Sequence, residues 1–144
     1  MAWEDPILYQ WESNLETGCE EIDSQHKELI KLVNKLIEAS SSGKSANLVS
    51  ESLDFLTSYA VRHFADEEKL QIDFKYPDYP AHKRKHDDFK VVVGELVQRV
   101  KKEGPTEKII EDVSSTIGSW LLEHIMGDDF RMANYVKASK SALN

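Results

Sequence analysis

Four stretches of this chain repeat apolar side chains at alternating steps of three and four, the spacing that draws one stripe along an α-helix. The first, over 22–37, carries Ile22, His26, Leu29, Val33 and Leu36, with Asp23 expected as its N-cap. Ser40, Ser41, Ser42, Gly43, Lys44 and Ser45 then supply turn chemistry. The second stripe runs Val49, Leu53, Leu56, Ala60, His63 and Glu67. Between Tyr76 and Pro80 stand two prolines, and Pro80 suits the first turn of a third helix. That helix is expected to carry His82, His86, Phe89, Val93, Leu96 and Val100 until Gly104 and Pro105 end it. A fourth begins near Thr106 and sets Ile110, Val113, Ile117, Trp120 and His124 on its inner face. Beyond Gly127 the pattern weakens, so the tail to Asn144 is expected to be a short helix or frayed coil.

Helices of about 20 residues are about 30 Å long, and short connections between four of them favour antiparallel neighbours. The expected fold is therefore all-α, an up-down-up-down antiparallel four-helix bundle with an N-terminal arm and a short C-terminal tail. Seams of this spacing imply crossing angles of about 20°. With 144 residues, 40% of them hydrophobic, the chain can bury one core, so residues 1–144 are expected to form a single domain with its bundle core over about 20–130.

Several function classes are disfavoured. A net charge of −8 repels a phosphate backbone, and no Lys/Arg cluster interleaved with aromatics offsets it, so nucleic acid is not an expected partner. Apolar runs such as 91–93 and 117–122 fall far short of the roughly 20 residues that span a bilayer. Glu4, Asp5 and Pro6 stand where a secretory leader would be basic and then apolar. A cytoplasmic protein acting alone, without an output domain, is expected. The lone Cys19 cannot form an internal disulfide and is expected to be a small buried apolar residue.

All five histidines lie on inward stripes. His26 sits near the start of the first helix, His63 near the end of the second, His82 and His86 near the start of the third, and His124 near the end of the fourth. In an up-down-up-down bundle these places are all at one end. His63 and Glu67 share a face, as do His82 and His86, because four residues make about one turn. A single imidazole on an apolar stripe is commonly a hydrogen-bonded core residue; convergence of five points to metal. An inward Glu67 in particular costs heavily in desolvation unless a cation meets it. One structural zinc needs four ligands and would leave several of these groups without a partner, whereas two ions sharing bridges would use them all.

With these residues in view the sequence resembles the hemerythrins, and specifically their bacterial single-domain branch. The resemblance rests on Ile22-Asp23-Ser24-Gln25-His26-Lys27, on His63-Phe64-Ala65-Asp66-Glu67-Glu68, on His82 and His86 after Pro80, and on Trp120-Leu121-Leu122-Glu123-His124-Ile125 leading to Asp129. It implies that His82, His86 and His124 bind one iron, that His26 and His63 bind a second, and that Glu67 and Asp129 bridge the two beside an oxo or hydroxo group. It implies further that the second iron keeps an open position at which dioxygen binds and from which it leaves. Helical periodicity alone would select Asp128, one turn after His124; the family pattern selects Asp129 and leaves Asp128 a solvated neighbour. A local widening of the helix, or its end near Gly127, would turn Asp129 inward.

The expected function is reversible dioxygen binding at a non-haem di-iron centre, for storage, delivery or sensing, rather than catalysis. Five neutral imidazoles and two carboxylates make a less anionic cage than the Glu-rich sites of ferritin-like oxygenases, and so support high-valent iron less. No spare inward acid or base is evident. Trp120, Leu121 and Ile125, within one turn of His124, are expected to line an apolar oxygen pocket, a role compatible with being ordinary core. The alternative is a di-iron oxidase, peroxidase or nitric-oxide reductase using the same centre. An oxygen-consuming protein partner is conceivable but unidentified. Asp66, Glu68 and Lys83-Arg84-Lys85 are expected to be solvated faces.

Overall fold

The computed structural model describes residues 8–41, 46–104 and 106–142. Ser42, Gly43, Lys44 and Ser45 of the first break and Pro105 of the last lie outside the described residues. Helices α1 (Glu20–Ser41), α2 (Ala46–Asp73), α3 (Tyr79–Glu103) and α4 (Glu107–His124) pack in a ring, each against the next, with α1 closing on α4. This is the expected up-down-up-down four-helix bundle.

The stripes form its core. In α3 the buried residues are His82, His86, Phe89, Val93, Leu96 and Val100, and Pro80 occupies the first turn. Gly104 ends the helix at φ 83°, a backbone conformation that glycine reaches without a Cβ clash. Thr106 caps α4, its hydroxyl accepting from the Ile109 amide at 3.3 Å. Away from the histidine end the interior is aliphatic, with Val33, Leu36, Val49, Leu53, Leu56 and Val113 all 1% exposed or less.

One boundary differs from expectation, and the tail takes the helical one of its two expected forms. Helix α1 starts at Glu20, so Asp23 lies within its first turn rather than capping it. The Asp23 carboxylate turns back to accept from the amide and hydroxyl of Thr17, at 2.8 and 2.7 Å, and so ties down the approach to the helix from inside. The C-terminal tail is a fifth helix, α5 (Phe130–Ala142), reached from α4 through one π-helical turn, Ile125–Asp129. Its buried Met132, Ala133 and Val136 cover Ile22, Tyr76 and Cys19, which is buried as expected. The histidine end of the bundle is thus closed by its own small apolar cluster.

The arm is also held. Asn34 of α1 accepts from the Tyr9 amide at 2.9 Å and donates to the Tyr9 carbonyl at 2.8 Å. The Tyr9 ring lies against Gly118 of α4, where an added Cβ would come within 2.2 Å of it. Removing both side-chain bonds with Asn34→Ala should cost about 1–3 kcal/mol. Urea unfolding followed by circular dichroism should show that loss, with faster proteolytic cleavage of the arm; unchanged stability and cleavage would mean that Asn34 does not anchor it.

Candidate metal centre

The seven side chains singled out by sequence meet at one end of the bundle, and all are buried: His26, His63, Glu67, His82, His86, His124 and Asp129. Each comes from the helix end its stripe assigns, save Asp129. That residue belongs to the π-turn, in which five residues complete a turn, so it stands beneath His124 on the same face. The tightening or widening of a helix by one residue is invisible to a period of 3.6.

Donor atoms fall into two sets, within each of which all lie within 4.8 Å of one another: Glu67, His82, His86, His124 and Asp129, and His26, His63, Glu67 and Asp129. Both carboxylates belong to both sets, and each divides its oxygens between them. Glu67 Oε2 faces His63 Nε2 at 2.8 Å and His26 Nε2 at 3.3 Å, while Oε1 faces His86 and His82 at 3.2 and 3.3 Å. Asp129 Oδ2 faces His26 at 2.9 Å, while Oδ1 faces His82 and His124 at 3.0 and 3.1 Å.

The donor set suits cations better than protons. His124 Nε2 lies 3.1 Å from His82 Nε2 and 2.9 Å from His86 Nε2, so three ring nitrogens crowd one point. A proton can bridge only one such pair at a time. Glu67 Oε1 and both Asp129 oxygens are buried without a hydrogen bond of good geometry. Metal ions would engage these lone pairs together.

The electrostatics agree. Burial pulls the His26 imidazole toward the neutral form, but the close carboxylates of Asp129 and Glu67 prevail and lift it to about 9. For His124 burial is likewise outweighed, by the charge of the Asp129 carboxylate at close range and by the hydrogen bond His124 donates to Asp128, and it rises to about 10. Burial would raise Glu67, yet the His63 charge and bonds from His26, His63 and His82 hold it well below the usual carboxylate range. Asp129 is also held low, His124 and His26 overcoming both burial and repulsion from Glu67. The cavity therefore draws in positive charge, as protons if not as metal.

Of the residues expected on solvated faces, Asp66, Arg84 and Lys85 are exposed, whereas Glu68 and Asp128 are largely covered against ligand imidazoles. Asp128 accepts from His124 Nδ1 at 3.0 Å and is held by Lys85 at 2.7 Å and by Arg131. Glu68 accepts from His86 Nδ1 at 2.9 Å. Asp66 accepts from Gln25 Nε2 at 2.9 Å, and Gln25 Oε1 in turn accepts from His63 Nδ1 at 2.6 Å. Of the basic run, Lys83 pairs with Asp87 at 2.8 Å. Sequence reasoning missed these partners because none lies on an apolar stripe; only the four-residue step from His124 to Asp128 was a signal. It also passed over Gln71, fully buried one turn beyond Glu67, whose side-chain amide has no hydrogen-bond partner on either atom.

Of the three residues expected around an oxygen pocket, Leu121 and Ile125 are buried, at 3% and 0% exposure, and Trp120 is half-buried. The Trp120 ring stacks on His124 at 4.4 Å between centroids, and Phe64 stacks on His86 at 4.0 Å. Aromatic faces thus fix the planes of two imidazoles.

A family model described as the hemerythrin HHE cation binding domain matches residues 17–136. Among known proteins, the chain is 37% identical over 131 residues to a bacteriohemerythrin of Stenotrophomonas maltophilia, covering 91% of this chain and 83% of that one. It is 31% identical to a myohemerythrin of Theromyzon tessulatum, covering 91% of this chain and 96% of that one. Among solved structures, a crystal structure of wild-type hemerythrin superposes with a TM-score of 0.81 at 29% identity, over 90% of this chain and 98% of that chain.

Metal uptake by the metal-free protein must displace the protons on His26 and His124, since imidazoles held at about 9 and about 10 are charged at neutral pH. Their charge supports the metal-free fold fully below the ordinary imidazole value of 6.5, and this support is lost as pH rises through about 9 to about 10. Adding Zn2+ to weakly buffered protein at pH 7 should release protons to an indicator dye, and the release should vanish in titrations above about pH 10. Uptake without proton release at pH 7 would contradict the charge state described.

Proposed function

The chain belongs to the hemerythrin family, and from that premise we propose that it binds dioxygen reversibly at a pair of iron ions, as a carrier, store or sensor rather than an enzyme. The observation that carries the proposal is the division of the Glu67 and Asp129 oxygens between two imidazole sets. Such carboxylates can hold two ions side by side at a fixed spacing. His82, His86 and His124 would hold one ion, and His26 and His63 the other, beside an oxo or hydroxo bridge. Iron, when bound, supplies electrons that dioxygen takes up on binding and gives back on leaving.

What the chain itself does is position and protect. Ring nitrogens of His63, His86 and His124 that face away from the centre donate to Gln25, Glu68 and Asp128, which turns their other nitrogens inward. Leu121, Ile125 and the Trp120 ring supply an apolar wall beside the two-carboxylate cluster, a suitable lining for an uncharged diatomic and an unfavourable one for water. Ile22, Tyr76 and α5 seal the other side.

Binding without further chemistry is supported by the inventory of ionisable groups. Apart from Cys19 and Tyr76, which lie in the cluster beneath α5, every buried ionisable side chain described is one of the seven. Among the described residues no further carboxylic acid is buried in the core to deliver protons, which oxidase or peroxidase turnover would consume. Residues 1–144 are taken as one domain. Among the described residues no helix is long and apolar enough to cross a membrane. The unpaired buried Cys19 suits a reducing compartment, in keeping with a cytoplasmic site of action.

Iron-reconstituted protein should contain two irons per chain, be colourless when reduced without oxygen, colour on exposure to oxygen, and bleach again under vacuum. Absorption spectra through one full cycle, with iron counting, test this. Colour that does not bleach would defeat reversibility, and sustained oxygen consumption with added reductant would establish an enzyme instead.

A further inference from the structure

The outward ring nitrogens of the two imidazole sets have unlike partners. In the three-histidine set, His86 Nδ1 donates to the Glu68 carboxylate at 2.9 Å and His124 Nδ1 to the Asp128 carboxylate at 3.0 Å. In the two-histidine set, His63 Nδ1 donates at 2.6 Å to the neutral amide oxygen of Gln25. Gln25 in turn donates to the Asp66 carboxylate, one amide farther out. His26 Nδ1 is buried with no hydrogen-bond partner at all.

We propose that Glu68 and Asp128 are positioning residues that make the two metal positions unequal, so that the three-histidine position fills first and holds its ion while the two-histidine position exchanges. The inference rests on the paired-metal reading given above. Two physical effects drive it. A carboxylate accepting the Nδ1 proton pushes electron density onto Nε2 and makes it a stronger donor to metal, whereas a neutral amide does so less and an unpartnered nitrogen not at all. The carboxylates also bring negative charge close to the three-histidine ion in a cavity of low dielectric, where charge counts for more. Both side chains are 13% exposed, so solvent screens them little.

The two carboxylates are not equal in this. Asp128 is shared with Lys85 and Arg131, whose charges hold it in place and offset part of its field. Glu68 accordingly exerts the larger effect. The position that lacks such support is also the one with fewer imidazoles, so beside the shared carboxylates the ion there has a smaller and less donating set of ring nitrogens. An exchangeable ion with a vacant coordination position and a retained neighbour follows from the same asymmetry.

The experiment titrates metal-free protein with Zn2+ against a chromophoric chelator and resolves the two binding steps. Wild type should show a tight and a weaker step, and His63→Ala should remove the weaker one, assigning it to the two-histidine position. Glu68→Gln keeps an acceptor for the His86 proton and removes only the charge; it should weaken the tight step by about 10-fold, and Asp128→Asn by less, with the weaker step moving by no more than about 2-fold. Gln25→Ala should act on the weaker step alone. Circular dichroism confirms that each variant retains its helices, and either carboxylate variant suffices if the other fails to fold. Two ions bound with equal affinity, or a tight step indifferent to both carboxylate substitutions, overturns the inference while leaving the paired-metal reading intact. A single ion bound per wild-type chain overturns that reading and the inference with it.

Discussion

Everything at the histidine end turns on two carboxylates that have been taken out of water. Glu67 and Asp129 are each about 1% exposed, and an ion so buried is destabilising by several kcal/mol unless positive charge meets it at close range. Their partners come from all four bundle helices, so the charge balance holds only while the helices keep their register. The aliphatic half of the bundle secures that register. Leu36, Leu53, Leu56 and Val113 pack there in one apolar cluster, and the polar half relies on this scaffold. Binding and stability are thereby separated along the bundle axis.

Much of this was legible before any coordinates. The α3 stripe, residue for residue, is the buried face of the helix, because about five turns of unbroken periodicity leave little freedom in how it packs. Six inward donors followed from the same rule. Helix boundaries were less legible. Asp23 has cap chemistry but uses it from inside the first turn, which a local preference for capping residues does not distinguish from true capping. Beyond Gly127 the apolar rhythm fades because α5 buries only Met132, Ala133 and Val136, a narrow face set on a short helix.

The least legible residues were those that support the ligands. Glu68 directly follows a ligand, so by periodicity it points away from the core and looks like an ordinary solvent-facing acid, while Asp128 shares the His124 face by periodicity but yields the inward place to Asp129 in the family pattern. Their meaning comes from the geometry of imidazole, whose two nitrogens face in different directions: a ring that offers one nitrogen to the bundle interior carries the other toward the helix surface. Largely covered acids beside a buried histidine cluster are therefore where its partners should be sought. Aromatic stacking completes the restraint, with Phe64 and Trp120 each lying flat on a different imidazole.

The π-turn at Ile125–Asp129 has a consequence for how this chain can vary. An extra residue in one turn offsets the rotational phase of everything after it. Asp129 reaches the interior because of that offset, and the apolar face of α5 meets Ile22 and Tyr76 because of the same offset. Excising a single residue between His124 and Asp129 would restore regular winding and at once swing the carboxylate outward and the closing helix off its seat. Length in this short segment is consequently under stricter constraint than the identity of most residues in it, and natural variation here should take the form of replacement rather than insertion or loss.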